Sequence, residues 1–360
     1  MSALRIEDNV PLAPHTTLKV GGRARFFASA KIDDEVLEAL DFARKRGCPL
    51  FVMGGGSNIV VSDSGFPGLV LKIDLRGFRS PDAENPAIIS AAAGENWDAF
   101  VQSCVDRGLA GIECLSGIPG TVGGAPVQNI GAYGQEAGEA IVSVRALDRE
   151  SGRIVLLTRA GCGFAYRSSI FNTARRDRYV VLETAFELKP GGLPCILYPD
   201  LQDRFRRDGR EPSLPEVRDA VLEIRKSKGM FLCESDPDAR SVGSFFKNPR
   251  VSPDEAARAE NTARGCGRLQ PSESIPRLPS PEGTAKLPAA WLVERAGFHR
   301  GFAYGNAGIS GKHSLAIVNR GGARAQEIMD LARLIQKRVR ECFGLELEME
   351  PVFVGDFNRT

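Results

Sequence analysis

The chain has 360 residues, 42% hydrophobic and 26% charged, which is too much for one small core and has the composition of an ordinary globular protein of about two or three domains. A formal net charge of +2 removes any bulk electrostatic case for nucleic acid or a membrane surface, and the local runs Arg206-Arg207 and Arg338-Val339-Arg340 read as solvated faces. Eight cysteines without a Cys-x-x-Cys pair or a Cys/His cluster exclude the usual metal-binding spacings, so no metal is expected and the thiols read as reduced and mostly buried.

Residues 1–8 lack the apolar core of a signal peptide, and no run of ~18 apolar residues is present to span a bilayer. A cytoplasmic protein without membrane insertion is expected. Residues 33–44 place Val36, Leu40 and Ala43 on one helical face, which Gly47 and Pro49 stop. Residues 50–53 read as a strand. After Gly54, Gly55, Gly56, Ser57 and Asn58, the β-branched run 59–61 reads as another, so this glycine loop joins strand to strand. Strands are expected over 69–71, 88–92, 141–146, 154–157 and 179–183, with a helix over 97–107 and another over 214–228. This mixture predicts an α+β fold rather than regular βαβ repetition. Proline-rich residues 267–288 read as a long surface loop in a separate domain. The last helix, 324–343, carries Ile328, Leu331, Ile335 and Val339 on one face and ends at Gly344. Residues 345–350 alternate strictly and predict a strand with Glu346, Glu348 and Glu350 on one face.

Two stretches are glycine-dense. Met53-Gly-Gly-Gly-Ser-Asn58 suits a phosphate cradle, because residues without a Cβ let several N–H groups converge on one anion; a plain tight turn uses the same residues. It is neither a Rossmann loop nor a P-loop, since no helix follows and no Gly-Lys-Ser/Thr closes it. Residues 116–134, Ser-Gly-Ile-Pro-Gly-Thr-Val-Gly-Gly-Ala-Pro-Val-Gln-Asn-Ile-Gly-Ala-Tyr-Gly, hold six glycines and no charge, and a connector of this length is generally functional or disordered. Its apolar residues argue against disorder.

Three further motifs stand out: Phe164-Ala-Tyr-Arg-Ser-Ser-Ile-Phe171, Ser241-Val-Gly-Ser-Phe-Phe-Lys-Asn-Pro249 and Glu350-Pro-Val-Phe-Val-Gly355. With the two glycine loops, in this order from about residue 17 to 355, they resemble the UDP-N-acetylenolpyruvoylglucosamine reductases. The resemblance implies a two-part FAD-binding domain of the p-cresol methylhydroxylase/vanillyl-alcohol oxidase type, formed by residues 1–75 with 349–360 and by 76–225. A separate α+β substrate-binding domain would follow over 226–348. It implies non-covalent FAD, neither glycine loop having a histidine or cysteine to attack the ring, with NADPH as co-substrate and UDP-N-acetylglucosamine enolpyruvate as substrate; a monomer is expected.

The implied FAD contacts are Gly54, Gly55, Gly56, Ser57, Asn58, Ile118, Pro119, Gly120, Gly123, Gly124, Ala125, Asn129, Ile130 and Gly131. Backbone amides of 55–58 and 123–125 are the expected donors, with Ile130 and Gly131 near the ring. The implied catalytic residues are Arg167, Ser244 and Glu350. Reducing an enolpyruvyl ether requires a cation on its carboxylate, a second stabiliser, and an acid for the carbon beside the one that receives hydride from flavin N5. Arg167 supplies the planar fork, Glu350 the stabiliser, its proton retained beside another carboxylate, and Ser244 the acid. A nucleophilic serine is disfavoured, because neither a His/Asp partner nor a Gly-x-Ser-x-Gly elbow accompanies it. Tyr166, Tyr198, Lys228 and Asn248 would bind the sugar nucleotide, Tyr198 on the closing tyrosine loop of one subtype. Without the resemblance, Arg167 reads as a surface ion pair, Tyr198 as packing and Lys228 as solvated. His313 is expected to be structural. Residues 232–240 are more acidic than the family pattern, and Met349 stands where a proline is common. The competing reading is another FAD oxidoreductase of this fold acting on a hydroxy acid or sugar.

Overall fold

The computed structural model describes residues 4–79, 86–206, 210–278, 280 and 283–357. The chain forms two compact units, one of residues 1–10, 24–56 and 67–227, the other of 11–23, 57–66 and 228–360.

The first unit is built on two larger sheets. One runs in the order Ile6–Pro11, Arg23–Ala30, Phe66–Ile73, Leu50–Met53, and its Leu50–Met53 edge is parallel to its neighbour. Helix Asp33–Arg46 buries Val36, Ala39 and Ala43, and Gly47 closes it at φ 59°, the left-handed conformation that favours glycine at this position. The second sheet runs Arg153–Thr158, Ile141–Asp148, Tyr179–Glu187, Ile88–Ala92, Phe78–Arg79, antiparallel throughout. Helix Trp97–Asp106, capped by the side chain of Asn96, packs onto it through Trp97, Phe100 and Phe186, whose ring centroids lie 5.1–6.0 Å apart. Each such buried ring contributes roughly 1.5–3 kcal/mol of transfer energy.

The second unit is built on an antiparallel sheet in the order Ser241–Ser244, Ala316–Asn319, Ala307–Ile309, Ala303–Tyr304. Helix Ala325–Phe343 buries Ile328, Leu331, Ile335 and Val339, and Gly344 ends it at φ 66°. Helices Pro253–Gly265 and Ala289–Arg295 complete the core, and strand Val352–Val354 pairs in parallel with Ile59–Val61.

The α+β expectation holds, and the glycine loop 54–58 joins two strands as predicted. One strand expectation is corrected. Residues 345–350 form no strand, although their alternation is physically real: Leu345 and Leu347 are buried while Glu346 and Glu348 are exposed. The segment meets its neighbour through Lys247 N–H to Glu348 O, a Lys247–Glu348 ion pair at 2.6 Å, a bridge between Phe246 and Met349, and Glu350 N–H to Phe245 O. A half-buried extended segment produces the same pattern as a paired strand. The acidic departure at 232–240 has a structural use, since Asp236 pairs with Lys312 at 2.7 Å and Asp238 accepts from the Ser310 hydroxyl at 2.8 Å. Among the described residues, no helix is long and apolar enough to cross a membrane, and no group of His, Cys, Asp and Glu could hold a metal ion.

Candidate functional site

In the first unit the two glycine stretches touch. A Cβ on Gly54 would lie 2.7 Å from Thr121 Oγ1, and one on Gly55 would lie 2.8 Å from the Cα of Gly120. Both approaches are closed to any side chain. Gly56 and Gly120 have φ of 66° and 135°, so two turns that only glycine makes readily sit side by side. Among the described residues, the amides of Gly55 and Gly56 meet no protein acceptor, as an anion cradle requires.

The other expected donors need correction. The N–H groups of Gly123, Gly124 and Ala125 are already given to Ala93 O, Thr121 O and Val122 O. These residues build the turn that precedes helix Ala125–Gln128. Asn129 is likewise a brace: its amide nitrogen donates to Glu136 and Ala165 O, and its oxygen accepts from Gly138 N–H. Ile130 donates its own N–H to Ala125 O. Gly124 keeps an open face, with nothing closer than 4.0 Å to an added Cβ. Ile118 and Pro119 lie in the turn leading to Gly120 and are half-buried. Abutting glycines, undonated amides and an open apolar loop fit the pyrophosphate and ring of a flavin dinucleotide.

Tyr166 and Arg167 occupy the two central positions of a tight turn closed by Ser168 N–H to Ala165 O at 3.0 Å. Arg167 takes φ 54°, a strained value for a residue with a side chain. Its guanidinium donates to Gly131 O at 2.6 Å and lies 5.2 Å from the Tyr166 ring centroid, so the arginine is held against the glycine-rich loop. Tyr198 precedes helix Pro199–Phe205, is 38% exposed, and meets Tyr133 edge-on at 5.3 Å.

In the second unit, Ser244 ends its strand opposite Ala316, just after a bulge and Gly243 at φ 75°; bulges of this kind re-aim side chains. Phe245 then receives Glu350 N–H at 2.9 Å, which sets Glu350 beside the residue that follows Ser244. Asn58 closes the group, its amide nitrogen donating to Glu350 O at 3.3 Å and its own carbonyl accepting from Val352. Ser57, the residue before it, is half-buried. His313 Nδ1 accepts from Leu315 N–H, and Leu315 O accepts from Phe245 N–H. Burial, then the charges of Lys228 and Arg300, press the His313 pKa down from its ordinary 6.5 to about 4. His313 is thus a neutral spacer behind Ser244, and Lys228 lies near enough to act on it. The Asn248 side-chain oxygen accepts the first N–H of helix Ala289–Arg295 at 2.8 Å, so at least half of that carboxamide is a helix cap.

The motifs did not point to a buried polar cluster in the first unit. Arg218 forks onto Asp98 at 2.7 and 3.0 Å, Asp98 also accepts Gly117 N–H, and Arg225 donates to Gly117 O and hydrogen-bonds Tyr133. Burial presses the Arg225 pKa down, against the raising influence of Tyr133 and Asp98. The signal was present in the sequence: Arg218 and Arg225 share the apolar face of helix Leu214–Ser227 with Val217 and Val221.

The paired glycine cradles sit in an α+β unit, and together with the matches that follow they define an FAD-dependent oxidoreductase. The profile of the FAD binding domain matches residues 24–158, and that of the UDP-N-acetylenolpyruvoylglucosamine reductase C-terminal domain matches residues 236–354. Over 350 residues the chain is 46% identical to the UDP-N-acetylenolpyruvoylglucosamine reductase of Thermobifida fusca, covering 96% of this chain and 97% of that protein. It is 44% identical to that of Streptomyces coelicolor, covering 96% and 90%. The crystal structure of the enzyme of that name from Thermus caldophilus matches with a TM-score of 0.64 at 25% identity, covering 98% of this chain and 100% of that one. The chain belongs to the UDP-N-acetylenolpyruvoylglucosamine reductase family.

Proposed function

We propose that the protein is a UDP-N-acetylmuramate dehydrogenase, reducing UDP-N-acetylglucosamine enolpyruvate to UDP-N-acetylmuramate in peptidoglycan precursor synthesis, with NADPH as reductant. The observation that supports the residue assignments is the backbone pairing of Phe245 with Glu350, which brings the segments of Ser244 and Glu350 together in one unit. Bound FAD supplies the hydride carrier between NADPH and the vinyl carbon. Gly55 and Gly56 would donate to its pyrophosphate, and the loop through Gly120, Gly123, Gly124, Ala125, Ile130 and Gly131 would hold its ring system.

The chain's own groups manage the substrate. Arg167 holds the enolpyruvyl carboxylate through two parallel N–H bonds, and Glu350 steadies the charge that builds on it as hydride arrives. Ser244 then gives a proton to the carbon bonded to that carboxylate. A hydroxyl is a weak acid, so this works only against a strongly basic enolate, with Lys228 or water restoring the proton. Lys228 also meets the diphosphate, and Tyr166 and the free end of the Asn248 carboxamide contact the sugar nucleotide. Tyr198 covers the nucleotide, placing the enzyme in the subtype with a closing tyrosine loop, and the enzyme acts as a cytoplasmic monomer. In this reading residues 1–75 with 349–360 and residues 76–225 hold FAD, and residues 226–348 take the substrate.

The direct test is anaerobic. Dithionite-reduced protein mixed with the enolpyruvyl sugar nucleotide should regain the oxidised flavin spectrum with formation of UDP-N-acetylmuramate. Re-oxidation by a hydroxy acid's keto product instead would favour the oxidase-like alternative.

A further inference from the structure

Glu113 is fully buried on the short helical turn Glu113–Leu115, and a buried carboxylate is costly unless every lone pair is used. Its side-chain partners are three neutral N–H groups from separate segments. Gly111 N–H donates to Oε2 at 2.7 Å, while the Gln135 side chain and Cys195 N–H both donate to Oε1 at 2.8 Å. Gln135, itself buried, returns an acceptor to Cys114 N–H at 2.8 Å, and the Cys114 thiol donates to Cys195 O at 3.1 Å.

The segments joined in this way share a destination. Gln135 lies in the hairpin of Gly131–Ala132 and Gln135–Glu136, two residues beyond Tyr133, and Gly131 of that hairpin holds Arg167. Cys195 lies three residues before Tyr198. Tyr133 and Tyr198 are the pair that meet edge-on, so one carboxylate oxygen fixes the roots of both rings. The Tyr198 segment is also held by the Cys114 thiol on Cys195 O, by Gln202 on Ile196 O and by the packing of Cys195 and Ile196 with Leu201, and the Glu113 oxygen joins it to the Tyr133 hairpin. Leu193 and Leu197 are 71% and 67% exposed, and its buried anchor is Leu201, beyond the ring.

We infer that Glu113 is a positioning residue that sets Tyr198 and Tyr133 for the sugar nucleotide, by holding the Cys195 and Gln135 segments on a single buried oxygen. The inference rests on the reading of Tyr198 as the residue that covers the nucleotide. Pre-organisation of this kind lowers the ordering cost of binding, so its loss falls on KM.

The experiment compares Glu113→Leu, which removes the acceptor of all three donors, with Cys195→Pro, which removes the tethering N–H together with the thiol that accepts Leu197 N–H. Cys195→Ala, which removes the thiol alone, is the control, and Tyr198→Ala serves as reference. Expected for both Glu113→Leu and Cys195→Pro are a KM for the enolpyruvyl sugar nucleotide raised about tenfold over wild type and over Cys195→Ala, and a saturated turnover within about twofold of wild type. Flavin reduction by NADPH should be unchanged, and hydrogen exchange across residues 196–198 should be faster. In a Tyr198→Ala background, Glu113→Leu should raise KM no further. If Tyr198→Ala raises KM while Cys195→Pro does no more than Cys195→Ala, the tether is overturned although Tyr198 keeps its role. If Tyr198→Ala itself leaves KM unchanged, the reading of Tyr198 fails and the inference with it. Should Glu113→Leu not fold, Cys195→Pro against Cys195→Ala decides.

Discussion

The backbone N–H of Glu350 donates to the carbonyl of Phe245 at 2.9 Å, across 105 positions of sequence, counted as 350 − 245. The pairing turns two separate motifs into one arrangement, with Phe245 and Phe246 buried beneath it. Ser244 and Glu350 are both half-buried, and in the proposed reading the acid and the stabiliser share this support.

The glycine cradles can be tested without relying on activity. Gly124→Ala has space, since the nearest atom to the new methyl group is 4.0 Å away and φ is an ordinary −78°. The apoprotein should keep its melting temperature while FAD affinity, measured by flavin fluorescence, falls about tenfold. Gly55→Ala drives a methyl group to 2.8 Å from the Cα of Gly120 and should lower both. Unchanged FAD affinity in Gly124→Ala would place the cofactor elsewhere.

Arg167→Lys keeps the charge and loses the fork. An ammonium cannot reach Gly131 O and grip a carboxylate with two parallel bonds, so kcat/KM should fall by roughly 10²-fold or more. Activity near wild type would reduce Arg167 to a brace for the loop.

His313 fixes a pH dependence of stability. Its folded pKa of about 4 lies below the ordinary 6.5, so the unfolded chain binds the extra proton between those values and stability falls as pH drops through that window. His313→Asn retains an acceptor for Leu315 N–H and removes the titration. Denaturation midpoints should decline less steeply from pH 6.5 to 4 in the variant. Parallel slopes would mean that folding leaves the His313 pKa unshifted.

Arg218 and Asp98 support a second stability prediction. Burial pushes Asp98 up, but the Arg218 bonds, the Gly117 amide and the charges of Arg218 and Arg225 outweigh it and hold the carboxyl below its ordinary 3.8. Such a group stabilises the fold above its unfolded value and loses that contribution as pH falls through its folded one. Arg218→Met should therefore cost roughly 1.5–3 kcal/mol at neutral pH, with the gap from wild type narrowing below pH 3.8. Urea titrations at pH 7 and pH 3 would show it, and an equal gap at both would contradict it.

Much of the fold was legible because its signals are local. Gly47 and Gly344 stop helices in left-handed conformations, and β-branched residues 59–61 identify the loop before them as strand to strand. Less was legible where tertiary partners decide. A run of glycines cannot reveal that Ala93 and Thr121 take the amides of Gly123 and Gly124. Alternation over 345–350 reports which side is wet, whether or not a ladder forms. The register that joins Phe245 to Glu350 and the three donors gathered on Glu113 are long-range pairings between segments with no local mark. Arg218 and Arg225 were visible as charges on an apolar helix face, but their partners were not.

The central claim is that Ser244 protonates the substrate carbon, and stopped-flow absorbance of the two half-reactions in Ser244→Ala tests it most directly. Flavin reduction by NADPH should proceed near the wild-type rate, because the hydroxyl has no part in it. Re-oxidation by the enolpyruvyl sugar nucleotide should slow by roughly 10²–10⁴-fold, the range for losing a positioned general acid, and Ser244→Cys should recover part of that loss. An equal fall in both half-reactions would indicate a disturbed Phe245-Phe246 core, and an unslowed re-oxidation would assign the proton to another group.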